Sequence, residues 1–538
     1  MFRENSGHQQ MKLFSTLNDM HPRLKTKLER SWAQVFYDQI FCKIDENLFA
    51  PLYCSDNGRP NFPVNILICL EAIKHLFDYT DEEILEQYSY NYQVNYAVGI
   101  LTLGELPLAE RTFYEFRERV FKYTLEHPDE ADLIFKQFEI LLDSFIKITN
   151  TSAIEQRTDS TFITPNIRRA GRLSLAYDVL VQGIRSIPED LRTDSLSKAL
   201  APGYKTDLLF RAKSAEVAGR LQEMLGQIHE LLKIAGSHPG LQELPGIKLA
   251  ERFLKEQTYY DFKQDSYSAR SNKEIEATSL QSAYDQDATY RRKGSKQAVG
   301  YVLNITETCG EKNNAQFITD YHLEQNVSSD QEMLEERLPE IKERTGAQDI
   351  YADGGYYGED VLVAADKNNV NLHYTNMTGK GPNKLPLTSF AIEDLQTIRR
   401  CPRNSVPFRT NYNEENGTLS AHFSLADCKA CPFHKECWVK IGKSNALMTV
   451  ERKSILAARE REKLERKEIR RENTSKRAAI EGTMSALKRD QGARKLRVRG
   501  RIKCALNCGL KVIARNFRQL VICFQRAAVL NTAALSTS

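Results

Sequence analysis

Three acidic residues far apart in the chain, Asp159, Asp353 and Glu481, have the side chains and local settings that phosphodiester chemistry needs. Asp159 lies in RTDSTFI, a Thr/Phe/Ile-rich run that reads as a strand. Asp353 closes the strand-like DIYAD and is followed at once by Gly354 and Gly355. A carboxylate at a strand tip, just before a turn, points where open α/β sheets bind ligands. The glycines let the backbone approach a partner closely or take positive φ. By itself an Asp-Gly-Gly is more often a structural turn. Glu481 lies in KRAAIEGTMSALKRD. On an unbroken helix, Arg477, Glu481 and Lys488 would share a sector of roughly 40° beside an apolar stripe of Ile480, Met484 and Leu487. By itself that pattern reads as i,i+4 charge pairing on a solvated face. Chemistry is the reason to join the three. Breaking or exchanging a phosphodiester needs an activated water or hydroxyl and a stabilised leaving oxygen, and two divalent ions roughly 3.5–4 Å apart supply both. Mg²⁺ takes oxygen ligands and keeps several waters, so a few carboxylates suffice. Two aspartates on neighbouring strands and a glutamate on a facing helix would form such a cradle. Arg477 and Lys488 would neutralise DNA phosphates beside it.

A second constellation is cysteine-based. Cys401, Cys428, Cys431 and Cys437 follow the pattern C-x26-C-x2-C-x5-C, with Pro402 and Pro432 after the first and third. A C-x2-C pair grips one ion from a tight turn, and two more thiolates complete a tetrahedron, so structural Zn²⁺ is the expectation. His434 could replace one cysteine, and four free thiols are the alternative. The other seven cysteines, Cys42, Cys54, Cys69, Cys309, Cys504, Cys508 and Cys523, are expected to be small buried hydrophobes in a reducing compartment.

The elements that must position these residues can be read more coarsely. Length predicts two to four structural units in 538 residues, with ordinary apolar (41%) and charged (27%) fractions. No apolar window is long enough for a membrane helix, and the N-terminus lacks a signal-peptide core, so a cytoplasmic protein is expected. The net charge of +4 hides an asymmetry: residues 451–520 hold 22 Lys and Arg against 8 Asp and Glu. A basic end of this kind suits a polyanion partner, or simply a solvated helix. Residues 1–150 read as helical, with a helix start at Asp81. From 157 the order is strand, long helical insert, two strands, helix, strand, helix, strand, which predicts a mixed α/β sheet flanked by helices. Residues 451–527 read as helices interrupted at Gly482, Gly492, Gly500 and Gly509. Leu506, Leu510, Ile513 and Phe517 mark an amphipathic helix that should pack on the core while Arg497, Arg499 and Arg501 reach DNA phosphates. The segment 451–473 reads as a solvated helix or a coiled-coil contact.

Taken together the motifs resemble those of bacterial insertion-sequence transposases of the DDE class. RTDSTFI resembles the family's first-aspartate strand and YADGGYYG its second. DQDATYRRKGSKQAVGYVLNITET resembles the segment leading into the next strands, and MFRENSGHQQ with the block after GRPNFPVNIL resembles its N-terminal domain. Arg477, Glu481 and Lys488 fit the family's Tyr-x2-Arg-x3-Glu-x6-Lys spacing, with Thr474 at the tyrosine position. The resemblance implies an RNase H-like catalytic core with Asp159, Asp353 and Glu481 as ligands of Mg²⁺ or Mn²⁺. It implies cleavage at terminal inverted repeats, joining of 3′ hydroxyls to target DNA, and a homodimer assembled on DNA in the bacterial cytoplasm or nucleoid. The expected layout is a helical domain at 1–150 for DNA binding or dimerisation, and core strands at 151–164 and 281–380. A helical insert follows at 165–280, a cysteine-rich insertion at 381–450, and the catalytic-glutamate helix with basic C-terminal helices at 451–538. The competing readings are a DNA-binding protein without the reaction, or a nuclease with the same fold.

Overall fold

The computed structural model describes residues 1–10, 14–211, 213–377 and 383–536 of the chain. Its N-terminal part is helical because apolar residues recur at helical spacing between polar caps. Helix α1 (Val64–Phe77) buries every residue from Val64 to Leu76. The acidic start expected at Asp81 begins α2 (Asp81–Tyr90). There the Thr80 hydroxyl accepts from the Glu83 amide and the Glu83 carboxylate accepts from the Thr80 amide, a capping box. Helices α3 (Glu110–Glu126) and α4 (Leu133–Thr149) complete this part.

Strand β1 (Glu155–Ile163) is the axis of the main sheet. Between it and the next sheet strands lie helices α5 (Arg172–Ser186), α6 (Val217–Ser237) and α7 (Pro245–Gln257) and a small hairpin, β2 (Thr258–Asp261) with β3 (Ser266–Ala269). These helices enclose their own core, including Val179, Leu180, Leu225, Ile228 and Phe253. Then come β4 (Thr289–Lys293), β5 (Lys296–Thr308), β6 (Ile318–Gln325), helix α8 (Asp330–Thr345), β7 (Asp349–Ala352), helix α9 (Glu359–Lys367) and β8 (Asn371–Tyr374). The sheet order is β4-β5-β1-β7-β8, with β6 also on β5. β1 is antiparallel to β5 and parallel to β7, and β7 is parallel to β8. The result is a mixed α/β architecture. Relative to the order read from the sequence, the additions are the β2–β3 hairpin and the short β4, both too brief for a periodicity to declare them.

A separate antiparallel unit follows: β9 (Ala391–Glu393) with β10 (Thr397–Arg400), then a sheet of β11 (Arg409–Asn413), β12 (Thr418–Phe423), β13 (Val439–Ile441) and β14 (Ala446–Glu451). The chain ends in helices α10 (Arg452–Glu465), α11 (Lys467–Ala478), α12 (Ile480–Arg489) and α13 (Arg501–Ser536).

One hydrophobic core joins α1, α3 and α4 to Tyr301, Leu303 and Ile305 of β5 and to the buried faces of α12 and α13. The stripe noticed in the sequence lies inside it: Ile480, Met484 and Leu487 are buried, as are Ile513 and Phe517 of α13. Burial of such side chains contributes roughly 1.5–3 kcal/mol each, so the N-terminal helices, the sheet and the C-terminal helix are held as one packed body. A second core packs α8 and α9 on Ile350, Ala352, Leu372 and Tyr374. It also takes Leu464 of α10, and Ile455 is buried against the antiparallel unit, so the 451–473 segment is not merely solvated.

Some expectations need correction. Gly482 and Gly509 lie within helices; the breaks fall at Gly492 and Gly500, whose φ values are +63° and +85°. Gly509 serves close packing, since a Cβ there would stand 2.3 Å from the Tyr321 hydroxyl. Cys42 and Cys54 are exposed rather than buried, because each sits in or beside a short irregular turn whose facing no periodicity reveals. All eleven cysteines are free. Among the described residues no helix is long and apolar enough to cross a membrane.

Candidate active site

Asp159 lies in the middle of β1, paired with Ile305 of β5. Residues two apart on a strand share a face, and here Arg157 and Asp159 both meet α11. Arg157 Nη1 donates to the Lys476 carbonyl at 2.9 Å, and Arg477 Nη2 donates to Asp159 Oδ2 at 2.5 Å. Arg157 is itself held by a buried ion pair with Glu307 at 2.6 Å. Lys476 Nζ reaches Glu155 at 2.6 Å and the Tyr351 hydroxyl at 3.1 Å. Burial opposes the Lys476 charge, but the bonds to Glu155 and Tyr351 outweigh it and hold the ammonium pKa up. Asn473, buried, donates to the Tyr374 carbonyl at 2.9 Å. α11 is thereby fastened across the ends of β1, β7 and β8.

Asp353 follows β7 directly. Its Oδ1 accepts from the Gly355 amide at 2.7 Å, closing a tight turn. The two glycines serve close approach here, not positive φ. A Cβ on Gly354 would stand 2.4 Å from the Asn376 carbonyl oxygen. On Gly355 it would stand 2.9 Å from Asp353 Oδ1 and 3.3 Å from Asp330 Oδ2.

The helical run carrying Glu481 is interrupted at a single residue. α11 ends at Ala478 and α12 starts at Ile480. Ala479 between them keeps helical backbone angles, φ −67° and ψ −18°, and Ile480 enters the main core while Asn473 and Lys476 stay anchored on the sheet. Arg477 and Glu481 meet across Ala479, Nη1 to Oε1 at 3.2 Å. One guanidinium therefore faces all three carboxylates. It bonds to Asp159, stands 3.9 Å from Asp353 and pairs with Glu481. Burial raises the Asp159 pKa; Arg477 and the Ser160 amide oppose that, while Asp353 and Asp330 add to it.

Asp330 is a fourth carboxylate that sequence reasoning missed. It opens α8 behind the Ser329 cap, and its Oδ1 accepts from the Ser160 hydroxyl at 2.6 Å. The cue was present as the Ser-x-x-Glu cap in SSDQE, but a cap says nothing about what the first turn faces. Thr474, at the motif's tyrosine position, is exposed and turns its hydroxyl back to the Arg470 carbonyl at 2.7 Å. Lys488 on α12 lines a groove that also holds Ser160 and Asp330.

The three arginines of the basic segment are each engaged by the protein. The segment runs beside the end of β1: Leu496 N donates to the Thr164 carbonyl at 2.8 Å and Asn166 N to the Val498 carbonyl at 2.7 Å. Arg497 donates to the carbonyls of Tyr79 and Asp78. Arg499 lies over the Tyr284 ring at 5.1 Å, and Arg501 pairs with Glu324 at 2.7 Å. Arg497 and Arg501 remain about half exposed, at 47% and 46%.

The four cysteines Cys401, Cys428, Cys431 and Cys437 line one cavity of about 380 Å³ together with His434. Burial, then the neighbouring thiols, pushes the Cys428 pKa up to about 11; burial also raises that of Cys437. Among the described residues, however, no three of His, Cys, Asp or Glu stand ready as they are to share one ion. At the acidic centre the reason is visible. A guanidinium already stands between Asp159 and Asp353, and a cation there is what the donor set favours, since clustered carboxylates of hard oxygen suit Mg²⁺ or Mn²⁺.

Residues 24–119 match the family model described as Transposase domain (DUF772), and residues 400–521 match the one described as Transposase DDE domain. The second match contains Glu481 and the four clustered cysteines; Asp159 and Asp353 lie before it. No curated protein and no solved structure gives a significant match. Both matches are to transposase models, and together they support an insertion-sequence DDE transposase.

Proposed function

We propose that this chain cuts DNA at the terminal inverted repeats of an insertion sequence and joins the freed 3′ hydroxyls to target DNA. The observation that carries the reading is the meeting of Asp159, Asp353 and Glu481 around Arg477. The three antiparallel strands continued by two parallel ones support an RNase H-like core. Asp159, Asp353 and Glu481 would hold Mg²⁺ or Mn²⁺, which when bound supplies Lewis-acid activation of the nucleophile and the leaving oxygen. The chain's own groups do the rest. The Asp353 turn and the β1 register fix two carboxylates on a rigid sheet, and the α11 anchors present Glu481 from the opposite side. Arg477 balances the carboxylate charge before substrate arrives, and with Lys488 it neutralises the phosphate beside the reacting centre. Arg497, Arg499 and Arg501 brace the basic segment, and the exposed part of Arg497 and Arg501 faces DNA backbone. The helices of 1–150 bind the repeats or pair two copies on two DNA ends. Cys401, Cys428, Cys431 and Cys437 bind a structural Zn²⁺, a role their shared cavity supports.

The test is a duplex carrying the repeats that flank the gene, incubated with wild-type protein or Asp353→Ala, with Mg²⁺ or with EDTA. Metal-dependent nicking at the repeat ends, lost in the variant, is the expected result. Binding without cleavage in every condition would leave only a DNA-binding role.

A further inference from the structure

The β4–β5 hairpin tip has no part in the site described so far, yet it stands at its edge. β4 and β5 pair down to Lys293 with Lys296, leaving the two-residue tip Gly294-Ser295. Gly294 has φ +61°, which suits the primed turns that close such hairpins. A Cβ at 294 would meet nothing within 4 Å, so that backbone conformation, not crowding, accounts for the glycine. The six residues Arg291 to Lys296 read RRKGSK, with four cations and no acid.

Gly294, Ser295 and Arg291 form one wall of a groove of about 470 Å³. Lys488 borders it, and Ser160 and Asp330 close the end next to the carboxylates. Arg291 is committed to holding the hairpin in place: its Nη1 donates to the carbonyls of Asn326 and Ser328 at 3.1 and 3.0 Å, and its guanidinium lies over Phe162. Arg292 is exposed and donates only through Nε to the Gly294 carbonyl, at 3.0 Å, among the bonds described. Arg169 bonds to Gln297 on the same ribbon, bringing a further exposed cation to it.

We propose that this groove, with the hairpin tip that borders it, grips the sugar–phosphate backbone of the DNA strand leading away from the scissile phosphate, through the Gly-Ser tip, Lys488 and the exposed Arg292 just outside the groove on the same ribbon. The inference rests on the transposase reading. Its logic is electrostatic and geometric. The carboxylates repel a phosphate unless cations flank them, and this groove begins at Ser160, the residue after Asp159, so a strand whose reacting phosphate sits at Asp159 finds it adjacent. A Gly-Ser tip with small side chains lets the backbone come close, and contact with phosphate is sequence-independent, as strand guidance requires.

The experiment measures binding of the full-length protein to a repeat-bearing duplex with a short single-stranded 3′ extension, between about 50 and 200 mM salt. Ser295→Asp and Arg292→Ala are compared with wild type. Arg211→Ala removes the same charge from an exposed pair with Asp207 in the helical insert. The proposal expects severalfold weaker binding for both hairpin-tip variants and a salt slope reduced by about one unit each, with Arg211→Ala unchanged. Circular dichroism confirms folding, and Arg292→Ala carries the test if Ser295→Asp does not fold. Wild-type binding and slope in the hairpin-tip variants, or an equal loss in Arg211→Ala, overturns it. Wild-type cleavage alongside such a result leaves the transposase reading standing. A wild-type protein that neither binds nor cuts the repeats brings down both.

Discussion

Replacing Arg477 by alanine should expose the electrostatic cost of the acidic centre. The magnitude follows from three contacts of unequal weight. Glu481 is 69% exposed, so its pair with Arg477 contributes at most about 1 kcal/mol. Asp353 stands 3.9 Å away without a hydrogen bond and adds a weak attraction. Asp159 dominates, because its side chain is only 15% exposed and its bond to Arg477 is charge-assisted. Losing such a partner costs about 1.5–3 kcal/mol. Asp159 keeps the Ser160 amide at 2.9 Å, which favours the lower part of that range. The expected deficit is about 2 kcal/mol at pH 7, read from urea unfolding by circular dichroism. Its pH dependence has a definite sign. Burial already raises the Asp159 pKa, and removing Arg477 raises it further. An acid whose folded pKa exceeds its unfolded value costs nothing below the unfolded value of about 3.9 and its full amount above the folded one. The deficit should therefore be small at pH 4, grow as pH rises, and level off. Without the guanidinium, Mn²⁺ should bind more tightly. At about a hundred times its dissociation constant it would return about 2.7 kcal/mol, enough to offset the deficit. Arg477→Lys should recover part of the loss without metal. A deficit below about 0.5 kcal/mol, or one unchanged from pH 4 to 8, would refute the reasoning.

Two glycines within C-terminal helices should respond oppositely to alanine. Gly509→Ala drives a methyl into Tyr321 and should cost about 1–3 kcal/mol, whereas Gly482→Ala meets open space and should stabilise by up to about 1 kcal/mol; equal effects in urea titrations would contradict the packing described. Lys511 is 4% exposed, and burial lowers its pKa to about 8. An amine depressed in this way costs its full amount below pH 8, on the order of 3 kcal/mol, and the protein should gain stability as pH rises from 8 towards 10. Lys511→Met should abolish that rise, and a rise that survives would count against the assignment. Protein purified without chelator should carry about one zinc per chain by elemental analysis, and Cys428→Ser with Cys431→Ser should lose it; a zinc content near zero in folded wild-type protein would remove the Zn²⁺ reading.

How much of this was legible depended on how local each signal was. Asp159 and Asp353 announced themselves because strand composition and a turn glycine are properties of a few neighbouring residues. Glu481 was visible only through its spacing from Arg477 and Lys488, and the i,i+4 pair with Arg477 follows that spacing. The apolar stripe beside it is buried in a core built largely from residues hundreds of positions earlier. Asp330 was missed because its relevance comes from Ser160, 170 residues away. Arg497 looked like a free DNA contact until its bonds to Asp78 and Tyr79, over 400 residues distant, came into view. Charge runs say how many cations an element carries, and only packing says which of them the fold consumes.

That distinction bears on the site itself. Of the cations near the carboxylates, Arg157, Arg291 and Lys476 are spent on bracing strands and α11. Arg477 alone among these is bonded to the acidic centre, and its bonds are ones that a divalent ion would replace. With these three spent on rigidity, Arg477 is left to face Asp159, Asp353 and Glu481. On the proposed reading, the release of Arg477 towards phosphate would accompany loading of the carboxylates, and DNA contact and metal binding would be linked. The coupling is reciprocal by necessity: DNA bound at Arg477 should tighten Mn²⁺ binding, and Arg477→Ala should erase that linkage while leaving Mn²⁺ affinity high.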